Sequence, residues 1–64
     1  MLVQQALLEL TVEHRQVIVL RHYQNLSYQE IGDVLDLPEK TVKSRLYSAR
    51  QVLGVLLRQR GITS

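Results

Sequence analysis

Cysteine is missing from this chain of 64 residues, so neither a disulfide nor a thiolate metal site can form. That absence agrees with a reducing cytosol. No apolar run is long enough to span a bilayer, and no secretory signal pattern opens the chain. The expectation is a cytoplasmic protein without membrane insertion. Catalytic motifs are absent too: there is no H-E-x-x-H, no Gly-rich phosphate loop and no Cys/His pair. His14 and His22 have no carboxylate or cysteine pattern around them, so both read as surface residues and not as ligands. A helical chain this short also offers no obvious cleft from which to exclude water. These absences point away from an enzyme, and no cofactor or metal is expected. The length suits one small domain, which buries only about 60% of its unfolded surface. No internal repeat and no low-complexity linker interrupts it.

Charge is unevenly spread. Residues 1–36 hold Arg15 and Arg21 against Glu9, Glu13, Glu30, Asp33 and Asp36, a net −3. Residues 37–64 hold Lys40, Lys43, Arg45, Arg50, Arg58 and Arg60 against Glu39, a net +5. A half this basic suggests a polyanionic partner; the competing reading is a solvated helix face.

Every long pattern is helical, so the fold class is all-α. Leu2, Val3, Ala6, Leu7 and Leu10 form one amphipathic stripe. Thr11 suits an N-cap, and Glu13 follows in the first turn, where a negative charge favours the helix dipole. Val17 and Leu20, with Ile18 and Tyr23, continue an apolar face, and Asn25 suits a left-handed stop. Ser27 and Glu30 form an S-x-x-E capping box, and Leu26 with Ile31 makes a hydrophobic staple around it. Ile31, Val34 and Leu35 give a short apolar face. Gly32 costs about 1 kcal/mol in a helix interior, which suggests close approach by a neighbouring helix. Asp36, Leu37 and Pro38 break the pattern, with Leu37 placed to plug the turn. From Glu39 the helix resumes, and Val42, Leu46, Ala49, Leu53 and Leu56 make one long stripe. Gly54 and Gly61 are expected to weaken or end it, with a frayed tail over residues 61–64.

A short helix, a tight turn and a second helix make a helix-turn-helix, here at about 27–53. The second helix of that unit enters the major groove with its first turns nearest the bases. Lys43, Tyr47 and Arg50 share a face away from the Val42 stripe, and Ser44 and Ser48 flank them. Lys40 and Thr41 lie in the first turn, where a helix N-terminus attracts phosphate. Lys and Arg serve phosphates or guanine edges, and serine bonds to several base edges. Tyr28 begins the preceding helix, where its hydroxyl and nearby amides can hold a phosphate. The alternatives are that Lys43 and Arg50 only solubilise the helix, that Arg45 pairs with Glu30 or Asp33, and that Tyr47 packs on its own helix.

The stretch LTVEHRQVIVLRHYQNLSYQEIGDVLDLPEKTVKSRLYSAR resembles region 4, the C-terminal promoter-binding part of sigma-70 family factors. Within that family it is most similar to the extracytoplasmic-function group. The matching pieces are HRQVIVLRHYQNLSYQEIG, LPEKTVKSRL and the following AR. The resemblance implies a four-helix domain that reads the −35 promoter element and contacts the flap of the RNA polymerase β subunit. It also implies regulation by an anti-sigma factor in many relatives. By the same resemblance, Lys43, Ser44, Tyr47 and Ser48 face the groove, and Tyr28, Thr41 and Arg45 contact the backbone. Ser48 stands where many relatives have arginine, so no base preference is carried over there. The region that melts the −10 element is not in this chain, and Met1 opens directly on a helix pattern, so the chain is expected to be an excised domain.

Two rivals stand beside this reading. A LuxR-type response-regulator domain also has an EKTVK helix start, but there a His shortly after the lysine and an apolar dimer face are expected. Here SRLYSAR follows instead. The other rival is a protein-docking helical module that uses Leu2, Val3 and Leu7, or Leu53, Leu56 and Leu57.

Overall fold

The computed structural model describes residues 2–61, with side chains from Gln5 onward. Four helices follow one another: α1 Leu2–Glu9, α2 Val12–Ile18 continued by a π-helical turn Val19–Tyr23, α3 Tyr28–Leu35 and α4 Glu39–Gln59. Among the described residues there is no strand.

Local chemistry sets the boundaries. Thr11 caps α2 by accepting from the His14 amide at 3.3 Å. Ser27 caps α3 through a full capping box: its hydroxyl accepts from the Glu30 amide at 3.1 Å, and its own amide donates to the Glu30 carboxylate at 2.8 Å. Asn25 and Asp36 take left-handed backbone conformations, with φ of 58° and 57°. Both end a helix in the manner their side chains tolerate. Behind Asp36, the Leu37 amide returns to the Gly32 carbonyl at 2.8 Å and closes the turn.

That turn corrects the expectation for Gly32. A Cβ at this position would sit 2.6 Å from the Leu37 carbonyl oxygen, whereas the nearest atom of α4, in Val42, is 3.7 Å away. The close approach comes from the turn backbone and not from a neighbouring helix. Gly54 does not end α4, which runs 21 residues to Gln59. Gly61 follows that end with φ +80°, and the tail expected at 62–64 lies outside the described residues. At about 1.5 Å per residue α4 is roughly 31 Å long, close to the 35 Å long axis of the molecule.

α4 is the spine against which α1, α2 and α3 pack. Ala6, Leu7 and Leu10 of the first stripe, Val17 and Ile18 of α2, Ile31 of α3, and Val42, Leu46 and Ala49 of α4 form the buried core. Leu26, Leu35, Leu37, Leu53 and Leu56 pack around it, half-buried. The side chains of Leu2 and Val3 lie outside the described ones. Two residues assigned to apolar faces point outward instead: Tyr23 is 59% exposed and Val34 61%. For Tyr23 the cause is the π turn, in which the Gln24 amide bonds to the Val19 carbonyl at 3.2 Å. An i→i+5 turn inserts a residue relative to α geometry and so shifts the face that follows. Arg60 pairs with Glu9 and ties the end of α4 to the end of α1.

Candidate nucleic-acid interface

The Val42, Leu46 and Ala49 stripe fixes the rotation of α4. With those three buried, the helix turns Lys40, Lys43, Ser44, Tyr47, Ser48 and Arg50 to solvent. Tyr47 is 67% exposed, so it does not fold onto its own helix. Thr41 and Arg45 lie at the margins of this face, half-buried. Arg45 is in neither of the ion pairs found among the described residues, so the proposed pairing with Glu30 or Asp33 is not formed.

The N-terminus of α4 differs from those of α2 and α3. Its N-cap is Pro38, which offers no side-chain acceptor. The first bonded amides are Thr41 and Val42, which reach the Pro38 carbonyl at 3.0 and 3.1 Å. The amides of the first turn ahead of them have no side-chain cap, and such amides are donors for an anion.

Lys43 is held on two sides. Its ammonium pairs with Glu39 one turn back at 3.4 Å and lies 5.8 Å from the Tyr28 ring centroid. The same ring carries the Arg21 guanidinium at 5.0 Å. Arg21 also donates to the Leu26 carbonyl at 2.9 Å and so ties the end of the π turn to the start of α3. Tyr28 is half-buried and packs against the core. The structure therefore brings Tyr28 and Lys43 together, while Arg50 sits a further two turns along α4.

Two features escaped the sequence. Arg50 meets His22, a residue 28 positions away, with its Nε donating to the ring Nε2 at 3.4 Å. No local pattern announces a contact across that separation. Beyond Arg50, a shallow cleft of about 270 Å³ is lined by Tyr47, Arg50, Gln51, Gly54 and Arg58. The Arg58 guanidinium lies 3.5 Å from where a Gly54 Cβ would stand, an ordinary van der Waals distance. The basic face thus runs past the expected site to Arg58. A second, apolar groove of about 350 Å³ lies between α2 and α3, lined by Arg15, Gln16, Val19, Leu20, Val34 and Leu35, with no residue of α4.

Comparison with known proteins shows the family. The family described as sigma-70, region 4 matches residues 1–53. The chain belongs to the sigma-70 region 4 family. It is 43% identical over 56 residues to the ECF RNA polymerase sigma factor SigW of Bacillus subtilis, an alignment that covers 88% of this chain and 30% of that protein. It is 40% identical over 63 residues to the ECF RNA polymerase sigma factor SigL of Mycobacterium tuberculosis, covering 98% of this chain and 36% of that one. The RNA polymerase sigma-H factor of Pseudomonas aeruginosa is 34% identical over 55 residues, covering 86% and 28%. The chain spans about a third of the length of these relatives. Region 4 is a helix-turn-helix domain, and α3 and α4 are the helices here that a tight turn joins. Membership sets aside the LuxR-type alternative. The docking-module alternative is not favoured either: of the leucines it would use, Leu7 is buried and Leu53 and Leu56 pack against the core. No helix among the described residues is long and apolar enough to cross a membrane.

Proposed function

We propose that this chain is the promoter-reading end of an extracytoplasmic-function sigma factor, a cytoplasmic DNA-binding module that works by recognition without bond chemistry. The observation that carries the proposal is the two-sided α4, apolar toward the core and basic and hydroxylated toward solvent. α4 enters the major groove of a −35 element from its N-terminal end. Thr41, Arg45 and the uncapped amides at the start of α4 take phosphates, and so does Lys40. Lys43, Ser44, Tyr47 and Ser48 face base edges. A single module of this kind buries only about 600–1,000 Å² of protein surface, so binding by the isolated domain is weak. Attachment to RNA polymerase raises its effective concentration at the promoter. Partners in this reading are double-stranded promoter DNA, the β flap of the polymerase core and an anti-sigma factor. The apolar groove between α2 and α3, with Val34 standing out beside it, gives a protein partner a place apart from the DNA face.

Binding to a panel of single-base variants of a selected promoter tests the assignment. Ser44→Ala relaxes preference at one or two base pairs, by about 1–3 kcal/mol where the contact is direct. Thr41→Ala weakens every sequence by a similar factor, because phosphate contacts carry no base identity. The reverse pattern would mean that α4 sits in the groove with a different rotation.

A further inference from the structure

The His22–Arg50 contact joins the π-helical end of α2 to the recognition helix. Arg50 Nε lies 3.4 Å and Nη2 3.2 Å from the same ring nitrogen, Nε2. Both side chains are exposed. A guanidinium can only donate, so this contact calls for a neutral ring with its proton on Nδ1. Arg50 is in neither of the ion pairs among the described residues, so its charge has a ring for a partner and no acid. A guanidinium has five N–H donors, and the ring uses only part of them. The remaining donors open on the same face as Tyr47 and on the cleft that reaches Arg58.

We propose that His22 and Arg50 together grip one backbone phosphate of bound DNA, at the far end of the contact surface from the start of α4. The inference rests on the DNA-binding reading and extends it to a residue outside the helix-turn-helix. In the free chain, partial burial, then Arg50, then Arg21, hold the His22 pKa below the ordinary histidine value. Those two arginines, one on α4 and one on its own turn, are the charges that act on the ring. α3, which also packs against this turn, adds the aromatic ring of Tyr28 beneath Arg21. A phosphate between ring and guanidinium reverses the balance. Its negative charge offsets both arginines, Nε2 takes up a proton from solvent, and ring and guanidinium then donate side by side to phosphate oxygens.

The linkage has a definite sign. DNA raises the His22 pKa, so affinity is at its base level at high pH. It climbs as pH falls through the bound-state pKa and levels off below the free-state value. The gain is about tenfold for each unit by which DNA raises the pKa. The test follows the ring protons of His14 and His22 by NMR from about pH 8 to about pH 5.5, using the 64-residue chain alone and with a short mixed-sequence duplex at low salt. Affinity for that duplex is measured over the same range. The His22 midpoint should move up on DNA, and affinity should rise several-fold on acidification in the natural chain and in His14→Gln. His22→Gln should abolish that rise. His22→Lys, a permanent cation, should hold high affinity at every pH. A chain that binds DNA while the His22 midpoint stays or falls overturns the phosphate grip and leaves the DNA-binding reading standing. A chain that binds no duplex at any pH overturns both.

Discussion

Tyr28 lies beneath two cations, Arg21 at 5.0 Å and Lys43 at 5.8 Å from its ring centroid. Each such contact is worth about 0.5–1 kcal/mol at an exposed site. The ring, packed on the core, gives Lys43 one wall, and Glu39 gives it the other at 3.4 Å. An ammonium held this way loses less freedom when it meets DNA than one on an unrestrained stem. The sequence made Tyr28 a phosphate ligand through its hydroxyl, because a helix start is where phosphates bind. The ring's partners were not legible, since Arg21 and Lys43 lie seven residues before and fifteen after it. The two roles separate cleanly. Tyr28→Phe keeps the ring and is expected to match the natural chain in urea stability and DNA affinity. Tyr28→Ala removes packing and both cation contacts and lowers both, with stability falling by about 2–4 kcal/mol. If Phe weakens DNA binding as much as Ala does, the hydroxyl is the working group.

At the scale of the element, the helices were legible where their signals are local. Thr11, Ser27, Asn25 and Asp36 mark boundaries through bonds within a few residues, and all four act where the pattern put them. The π turn at Val19–Tyr23 was not legible, because it replaces one backbone bond with another and leaves no trace in the spacing of apolar residues. Its effect is large all the same: it exposes Tyr23 and sets His22 toward Arg50. The α3 capping box yields a pH prediction. The Ser27 amide and hydroxyl hold the Glu30 carboxyl below the ordinary glutamate pKa. A group whose pKa is lowered by folding stabilises the fold above its unfolded value, about 4.3, and that stabilisation is lost as pH falls through the lower folded value. The thermal midpoint of the natural chain should therefore drop more steeply between about pH 5 and pH 3 than that of Glu30→Gln, which cannot titrate. Ser27→Ala should cost about 0.5–2 kcal/mol at neutral pH through loss of the cap. Parallel acid curves for the natural chain and Glu30→Gln would remove the carboxylate from the account.

For the molecule as a whole, one stripe decides which side α4 turns to solvent, and with it which side the proposed function offers to DNA. Val42, Leu46 and Ala49 lie against α1, α2 and α3, so every cation on the far side of α4 points the same way. The sequence showed that division, because a long helix displays its two faces through spacing alone. It did not show how far the basic face extends, since the cleft that Arg58 shares with Tyr47 and Arg50 depends on side-chain placement. The extended face makes a quantitative demand on DNA binding. Each phosphate that the protein neutralises releases counterions, so log affinity falls by about 0.9 per unit of log salt for each one. Lys40, Arg45, Arg50 and Arg58 together set an expected slope of about −3 to −4, reached only if all four engage the backbone. Lys40→Gln should make the slope shallower by about 1 and weaken all sequences alike. Arg15→Gln removes the same charge from the opposite set of helices, where Arg15 lines the α2–α3 groove and donates to the Leu8 carbonyl at 3.3 Å. It should leave the slope unchanged. The pair distinguishes a docked face from a merely basic protein, because net charge alone predicts equal effects for the two variants. Equal slopes for Lys40→Gln and Arg15→Gln would mean that the chain meets DNA without presenting α4 to it.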